Sequence, residues 1–577
     1  MDSPDTALSK SQPDVPRRYV DVGGRAVHYR VLGDGPPVVM LHDSPRSSRL
    51  HLDTMRRLSR RFRVFALDTP GYGNSEPLDL ASPSIADFAE ALGATLDMLG
   101  LGQAPLYATH TSAKIALQYA ASAGQAMPKR PARVILDGLS IPVGPPDPAF
   151  IAAYMRPFVL DDSGAYLAAE WSRMRDMLRW FPWFDVRPAT RMPIPLPTDA
   201  WIGDYVIDFL SAGPAYASAY AAAMYYDPLP ALRAVTIPLL VAARSDDVLY
   251  ASLDRVPAED NPALSVERLG PDRDAWLAWL EGKLVEATRD MDASAPLVPQ
   301  PDRGAVYVDL PHGALRVHRA GPAGATPLLI LSAPTTLHGL AWQAALPDHA
   351  TLVPELPGFG ESAPLPSPDL DDAVDALAAM LADLGVNSVD LLATGFAAPL
   401  GARLASRHAG SVRRVILDGC FNVADADAPT LADALCPGFP FDMGGGHVHR
   451  YWHMLRDAEA SWPWYSRDAA AQRTLAPLFD AAPLHDALVG ILKQPGHYGD
   501  MARAAVLGGE ANRYPAFAQP ALLLHKPDDP AYADTADVAA RLPEGQVADR
   551  PADIAGAAEL VRAFLQQATT GVAEVAL

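Results

Sequence analysis

Cysteine is almost missing from this chain: Cys420 and Cys436 are the only two in 577 residues. A disulfide framework is therefore excluded, and a reducing compartment, the cytoplasm, is the expected setting. Basic residues are also scarce. Forty-seven Lys and Arg against 68 Asp and Glu leave a formal net charge of −21. Nucleic acid is an unsuitable partner, because phosphate binding needs a basic face. No apolar run reaches the length of a membrane span, so no membrane partner is expected. The first 17 residues lack an apolar h-region and read as a tail rather than a signal peptide. No P-loop and no G-x-G-x-x-G opening a helix after a strand is present, so no cofactor is expected.

What the chain does have is an internal repeat. Val134-Ile135-Leu136-Asp137-Gly138 returns identically 281 residues later, at Val415-Ile416-Leu417-Asp418-Gly419. Trp171, Arg175-Asp176 and Phe181-Pro182-Trp183-Phe184 return as Trp452, Arg456-Asp457 and Trp462-Pro463-Trp464-Tyr465, again at 281. Pro238-Leu239-Leu240 with Asp246-Asp247 returns as Pro520-Ala521-Leu522 with Asp528-Asp529. Motifs in one order at a near-constant offset imply two copies of one domain. The spacing is far above solenoid periods, so this reads as a tandem duplication. The copies span 18–288 and 304–569. A Pro-, Asp- and Ala-rich linker covers 289–303, and tails cover 1–17 and 570–577.

Within each copy, short apolar runs (PPVVMLH, FRVFALD, APLYAT, ARVILDG and IPLLVAA in the first) alternate with helical stretches. That alternation predicts an α/β fold with a mostly parallel sheet and helices on both faces. Long Trp- and Pro-rich helical blocks, about 145–230 and 425–515, sit where a cap would cover the C-terminal strand ends.

The stretch 106–117, LYATHTSAKIAL, reads as strand, tight turn and helix. With Leu41-His42-Asp43-Ser44-Pro45 and Asp68-Thr69-Pro70-Gly71-Tyr72-Gly73-Asn74-Ser75, its order resembles the α/β-hydrolase superfamily over nearly all of both copies. The resemblance implies two capped α/β-hydrolase-fold domains in tandem. It also implies a nucleophile elbow at 109–113, an oxyanion loop at 42–45 and a triad acid at Asp246.

The chemistry departs from that pattern. A triad needs a hydroxyl, a histidine and a carboxylate. No histidine follows His110 until His312, and none follows His525. In the second copy the elbow reads Ala393-Thr394-Gly395-Phe396-Ala397, so it is expected to be non-catalytic. In the first, Thr111 and Ser112 are candidate nucleophiles, with His42 as base and Asp246 or Asp43 as its orienter. Asp43, Ser44 and His110 are candidates for the oxyanion or substrate site. Trp171 and Trp183 are expected first to pack the cap, and can at the same time line a pocket for a small apolar molecule. Small hydroxyls at a helix N-terminus also serve simply as caps. His449 and His453, four apart, could pair on a metal, yet no third ligand stands at helical spacing, and no metal is expected. Two functions stay open: a hydrolase or lyase working from the first copy by a non-standard site, or a non-catalytic protein that binds a small molecule or acts as a scaffold. In either case the copies would pair as an internal pseudo-dimer.

Overall fold

The computed structural model describes residues 15–126, 130–192, 195–292 and 297–567; most of both expected tails and part of the linker lie outside these. Contacts divide the chain into two compact units. One takes residues up to 157 together with 211–300, and the other takes 158–210 together with 301 onward. The division differs from a simple cut at 289–303, because 158–210 packs with the later residues.

The first unit is built on eight strands: β1 (Arg17–Val22), β2 (Arg25–Leu32), β3 (Pro37–Leu41), β4 (Arg63–Leu67), β5 (Leu106–Thr109), β6 (Val134–Asp137), β7 (Leu239–Arg244) and β8 (Leu264–Leu269). Their order is β1-β2-β4-β3-β5-β6-β7-β8. The first three in that order pair antiparallel, and β4 through β8 run parallel. Central strands such as β3 (PVVML) are apolar along their whole length because both faces are covered, as parallel sheets require. On one face Val38, Met40, Val64, Ala66, Tyr107 and Ile135 meet Met55, Leu58, Leu280 and Leu284 from flanking helices. Edge strand β8 is only partly covered.

The second unit repeats the plan with β9 (Gly304–Leu310), β10 (Gly313–Ala320), β11 (Leu328–Ala333), β12 (Thr351–Pro354), β13 (Val389–Gly395), β14 (Val412–Asp418), β15 (Ala521–His525) and β16 (Gly545–Asp549). Its strand order matches the first sheet position for position. Each sheet has a helical block between its sixth and seventh strands, at 148–234 and 428–512.

Part of the first block belongs with the second unit for a visible reason. Helices Ala165–Met177 and Gly446–Ala460 meet reciprocally. A Cβ built on Gly164 would stand 2.3 Å from Trp452 Nε1, and one on Gly445 would stand 2.7 Å from the Trp171 ring. Each glycine sits one helix-start before its own block and lets the other block's tryptophan close in. Tyr166 adds a hydrogen bond to His485 at 2.8 Å.

One buried carboxylate shapes each turn after the fourth strand. Asp68 accepts the amides of Ser48 (2.6 Å) and Asn74 (2.9 Å) and binds His28 Nδ1 at 2.7 Å. Burial opposes its charge, but His28 and these donors outweigh that and hold the carboxyl below its ordinary range. In the second unit Glu355 does the same work with Glu361 N at 2.6 Å and Arg316 at 3.1 Å. Removing Asp68 strands two buried donors, Ser48 N and His28 Nδ1, and the part-buried Asn74 N. Asp68→Ala is expected to destabilise the first unit by about 3–5 kcal/mol. Chemical denaturation followed by circular dichroism checks this, and a loss under about 1 kcal/mol would contradict the cradle role.

Candidate functional site at the two strand-to-helix elbows

β5 ends at Thr109 and a helix begins at His110 and runs to Ala126 with no intervening loop. The chain turns through His110, whose φ is +46°, and it is the one non-glycine residue with positive φ among the described residues. The apex of the elbow is therefore His110, one residue earlier than Thr111. Thr111 is the residue after the apex, buried in the first helical turn. The shift has a local cause: β5 pairs with β6 through Thr109↔Asp137, so the strand stays extended up to Thr109 and the turn must follow it.

The partner of the apex also differs from the expected one. His110 Nε2 meets Asp247 Oδ2 at 2.8 Å. Asp246 turns away and forms a surface pair with Arg244 Nε at 3.0 Å. Among the described residues no group bonds the other ring nitrogen of His110, and the side chain remains 34 % exposed.

The hydroxyls and His42 are occupied elsewhere. Ser112 Oγ donates to the backbone carbonyl of His42. The His42 ring spans two backbone groups, with Nδ1 2.7 Å from Asp43 O and Nε2 accepting from Thr69 N at 2.9 Å. In that geometry Nδ1 donates and Nε2 accepts. His42 thus pins the oxyanion loop to the following turn, and it is not directed at a hydroxyl as a base would be. Ser44 hydrogen-bonds Tyr72. Asp43 Oδ1 is buried without a hydrogen-bond partner among the described residues.

Trp171 and Trp183 are packing residues in the structure. Trp171 donates to Met443 O at 3.0 Å and packs edge-on against His447. Trp183 lies under the Arg173 guanidinium, 6.0 Å from its ring centre.

The second unit carries the same elbow. β13 ends at Gly395, with φ +57°, and a helix follows from Ala398 to Arg407. Gly395 is the counterpart of His110. At the end of β14, Asp418 is saturated by Arg550 Nε (2.7 Å), Tyr532 Oη (2.7 Å) and Trp342 Nε1 (3.0 Å). Arg550 follows β16, where the family places its triad histidine. In the first unit Asp137 ends β6 and is bonded by Tyr107 Oη and Trp276 Nε1, each at 2.8 Å.

A family comparison agrees with this architecture. A family model described as alpha/beta hydrolase fold matches residues 36–209. The chain has an α/β-hydrolase fold. Haloalkane dehalogenase 2 of Mycobacterium tuberculosis (strain ATCC 25618 / H37Rv) is 36% identical over 84 residues, 15% of this chain and 29% of that protein. A haloalkane dehalogenase of Sphingobium indicum (strain B90A) is 29% identical over 103 residues, 17% of this chain and 35% of that protein. The chain thus spans about a third of the length of these curated relatives. Among solved structures, an epoxide hydrolase from Vigna radiata is 19% identical, with a TM-score of 0.38, over 49% of this chain and 100% of that one.

In this hydrolase fold the apex histidine is charged. Burial works against the imidazolium, but the hydrogen bond and charge of Asp247, reinforced by Asp43 and Asp137, push its pKa up to about 9. Asp247 feels burial in the opposite sense, and His110 outweighs it and holds the carboxyl below its ordinary range. Motif spacing named His110 only as an oxyanion- or substrate-site candidate, placed the apex at Thr111 and chose Asp246 over its neighbour Asp247. One signal was present: Ala108-Thr109 and Ala393-Thr394 are the same dipeptide, and aligning them sets His110 opposite Gly395.

The raised pKa has a direct consequence for stability. The contribution of His110 is complete below its unfolded pKa near 6.5 and is lost as pH rises through about 9. Because the ring is partly exposed, the pair is expected to contribute only about 1–2 kcal/mol. The difference in unfolding free energy between wild type and His110→Gly is expected to shrink by that amount between pH 6.5 and 9.5. A difference that stays constant across this window would contradict the charged pair.

Proposed function

We propose that this protein is a hydrolase for small neutral substrates, working from its N-terminal half with His110 as proton donor. The observation that carries the reading is the apex itself. A non-glycine residue with positive φ costs on the order of 1–3 kcal/mol, and such strain is kept where function needs it. The second unit makes the same turn with Gly395, so the fold alone does not require histidine there.

An imidazolium with a pKa of about 9 holds its proton at neutral pH. It suits a reaction whose leaving group must be protonated. A halide leaves without a proton, whereas an epoxide or ester oxygen needs one, so oxygen-leaving substrates are favoured. Water attacks the electrophilic carbon and gives a proton to the Asp43 carboxylate. The carbon–oxygen bond breaks, and the leaving oxygen takes the proton from the free ring nitrogen of His110. Solvent then returns the proton from Asp43 to His110. Asp247 orients the ring and stabilises its charge. Backbone N–H groups of Asp43 and Thr111, flanking the apex, would hold the developing oxyanion.

The rest of the chain fits a duplicated ancestor. Matching strand orders support two copies of one fold whose helical blocks act as caps, with the second half lacking an apex side chain.

Styrene oxide and p-nitrophenyl acetate are the first substrates to assay. His110→Gly and Asp247→Asn are each expected to lower kcat by about 100-fold or more, and Ser112→Ala by less than about threefold. Wild-type kcat is expected to decline above pH about 9, as the apex loses its proton. If His110→Gly keeps wild-type turnover, the reading fails; if only Ser112→Ala abolishes turnover, the nucleophile is a hydroxyl after all.

A further inference from the structure

The cavity of interest lies over the elbow that carries no functional side chain. In the second unit a cavity of about 130 Å³ sits above Gly395. A Cβ built on Gly395 would meet nothing nearer than Ala333 O at 4.0 Å, so the place a nucleophile would fill is open. One wall is aromatic. Phe396 and Trp462 have ring centres 5.0 Å apart, and Phe421 stands 5.3 Å from Phe396 and 5.8 Å from Trp462. Trp464 and Leu475 continue the apolar lining.

The charged groups on the lining are all matched within the protein. Arg550 is bound to Asp418 at 2.7 Å, His338 to Glu459 at 2.7 Å and Arg473 to Asp529 at 3.4 Å. No charge on the lining is left to attract an ion, and a charged occupant would be desolvated without a counter-charge. An unfilled cavity of this size lowers stability in proportion to its volume. Cavities of about 150 Å³ with apolar walls accept a single benzene-sized ring.

We infer that the cavity over Gly395 binds a small neutral molecule built on one aromatic ring, held non-covalently against Phe396, Phe421 and Trp462. The second half is then a ligand-binding module, and its glycine apex leaves room for the occupant. The binding is independent of any turnover at His110, so each stands or falls by its own measurement.

Benzyl alcohol and benzoate, of matched size and different charge, are the probes for isothermal titration calorimetry on the full chain. Benzyl alcohol is expected to bind with 1:1 stoichiometry and benzoate at least tenfold more weakly. Ala458 lines the cavity. Ala458→Phe fills it and is expected to weaken benzyl alcohol at least tenfold while leaving ester turnover unchanged. His110→Gly is expected to bind benzyl alcohol as wild type does. Equal affinity for benzoate, unchanged binding by a folded Ala458→Phe protein, or loss of binding in His110→Gly would each overturn the inference. A second readout does not depend on filling the cavity. Bound 4-bromobenzyl alcohol should quench tryptophan emission in the wild type and quench less in Trp462→Phe, which keeps the aromatic wall. Equal quenching in both proteins overturns the inference.

Discussion

The functional reading depends on one tight crossing, where a parallel strand gives way to a helix with no loop between them. The last strand residue, Thr109, is held in register with β6, and the helix starts at the next residue. The direct strand-to-helix turn puts His110 in the left-handed region, and the position aims its side chain away from the sheet toward the strand ends. Asp247, at the end of β7, closes on it at 2.8 Å. The surrounding loops are fixed by contacts of the same economy. Asp68 holds the next turn through backbone amides, and His42 ties the oxyanion loop to that turn. The groups that family analogy would make reactive, Ser112 and His42, are here used to hold backbone in place.

The two elbows form an internal comparison. Same strand order, same turn and same position in the sheet give His110 in one unit and Gly395 in the other. Glycine is the unstrained choice at positive φ. The unit with glycine has an open, aromatic-walled cavity above the apex, and Asp418 at the end of β14 is neutralised by Arg550. The unit with histidine has an apex ring hydrogen-bonded to Asp247, with Asp43 and Asp137 adding to the attraction. We propose proton transfer in one half and neutral apolar binding in the other.

Much of the fold was legible in the residues, and the reasons are local. Apolar runs such as PVVML mark buried strands, and VILDG repeated at a fixed offset marks matching sheets. The elbow segment was legible as strand, turn and helix, but its register was not. Thr111 and Ser112 drew attention because they are hydroxyls, whereas the apex is set by where β5 stops pairing, which single-residue chemistry does not encode. The choice between Asp246 and Asp247 is a matter of which side of a strand end each faces, again a one-residue question. The reciprocal seating of Trp171 and Trp452 on Gly445 and Gly164 joins residues nearly three hundred apart, so pattern reading favoured packing for Trp171 but could not name its partner. Its indole N–H on Met443 O and its seat on Gly445 supply that partner.

The charge on the apex histidine decides the account. An NMR titration of His110 in the full-length protein, with ¹⁵N-labelled imidazole and His110→Gly for assignment, measures it directly. The account predicts a pKa of about 9 that falls toward the ordinary histidine value in Asp247→Asn. A neutral His110 ring at pH 7, or a titration unaffected by Asp247→Asn, would contradict it.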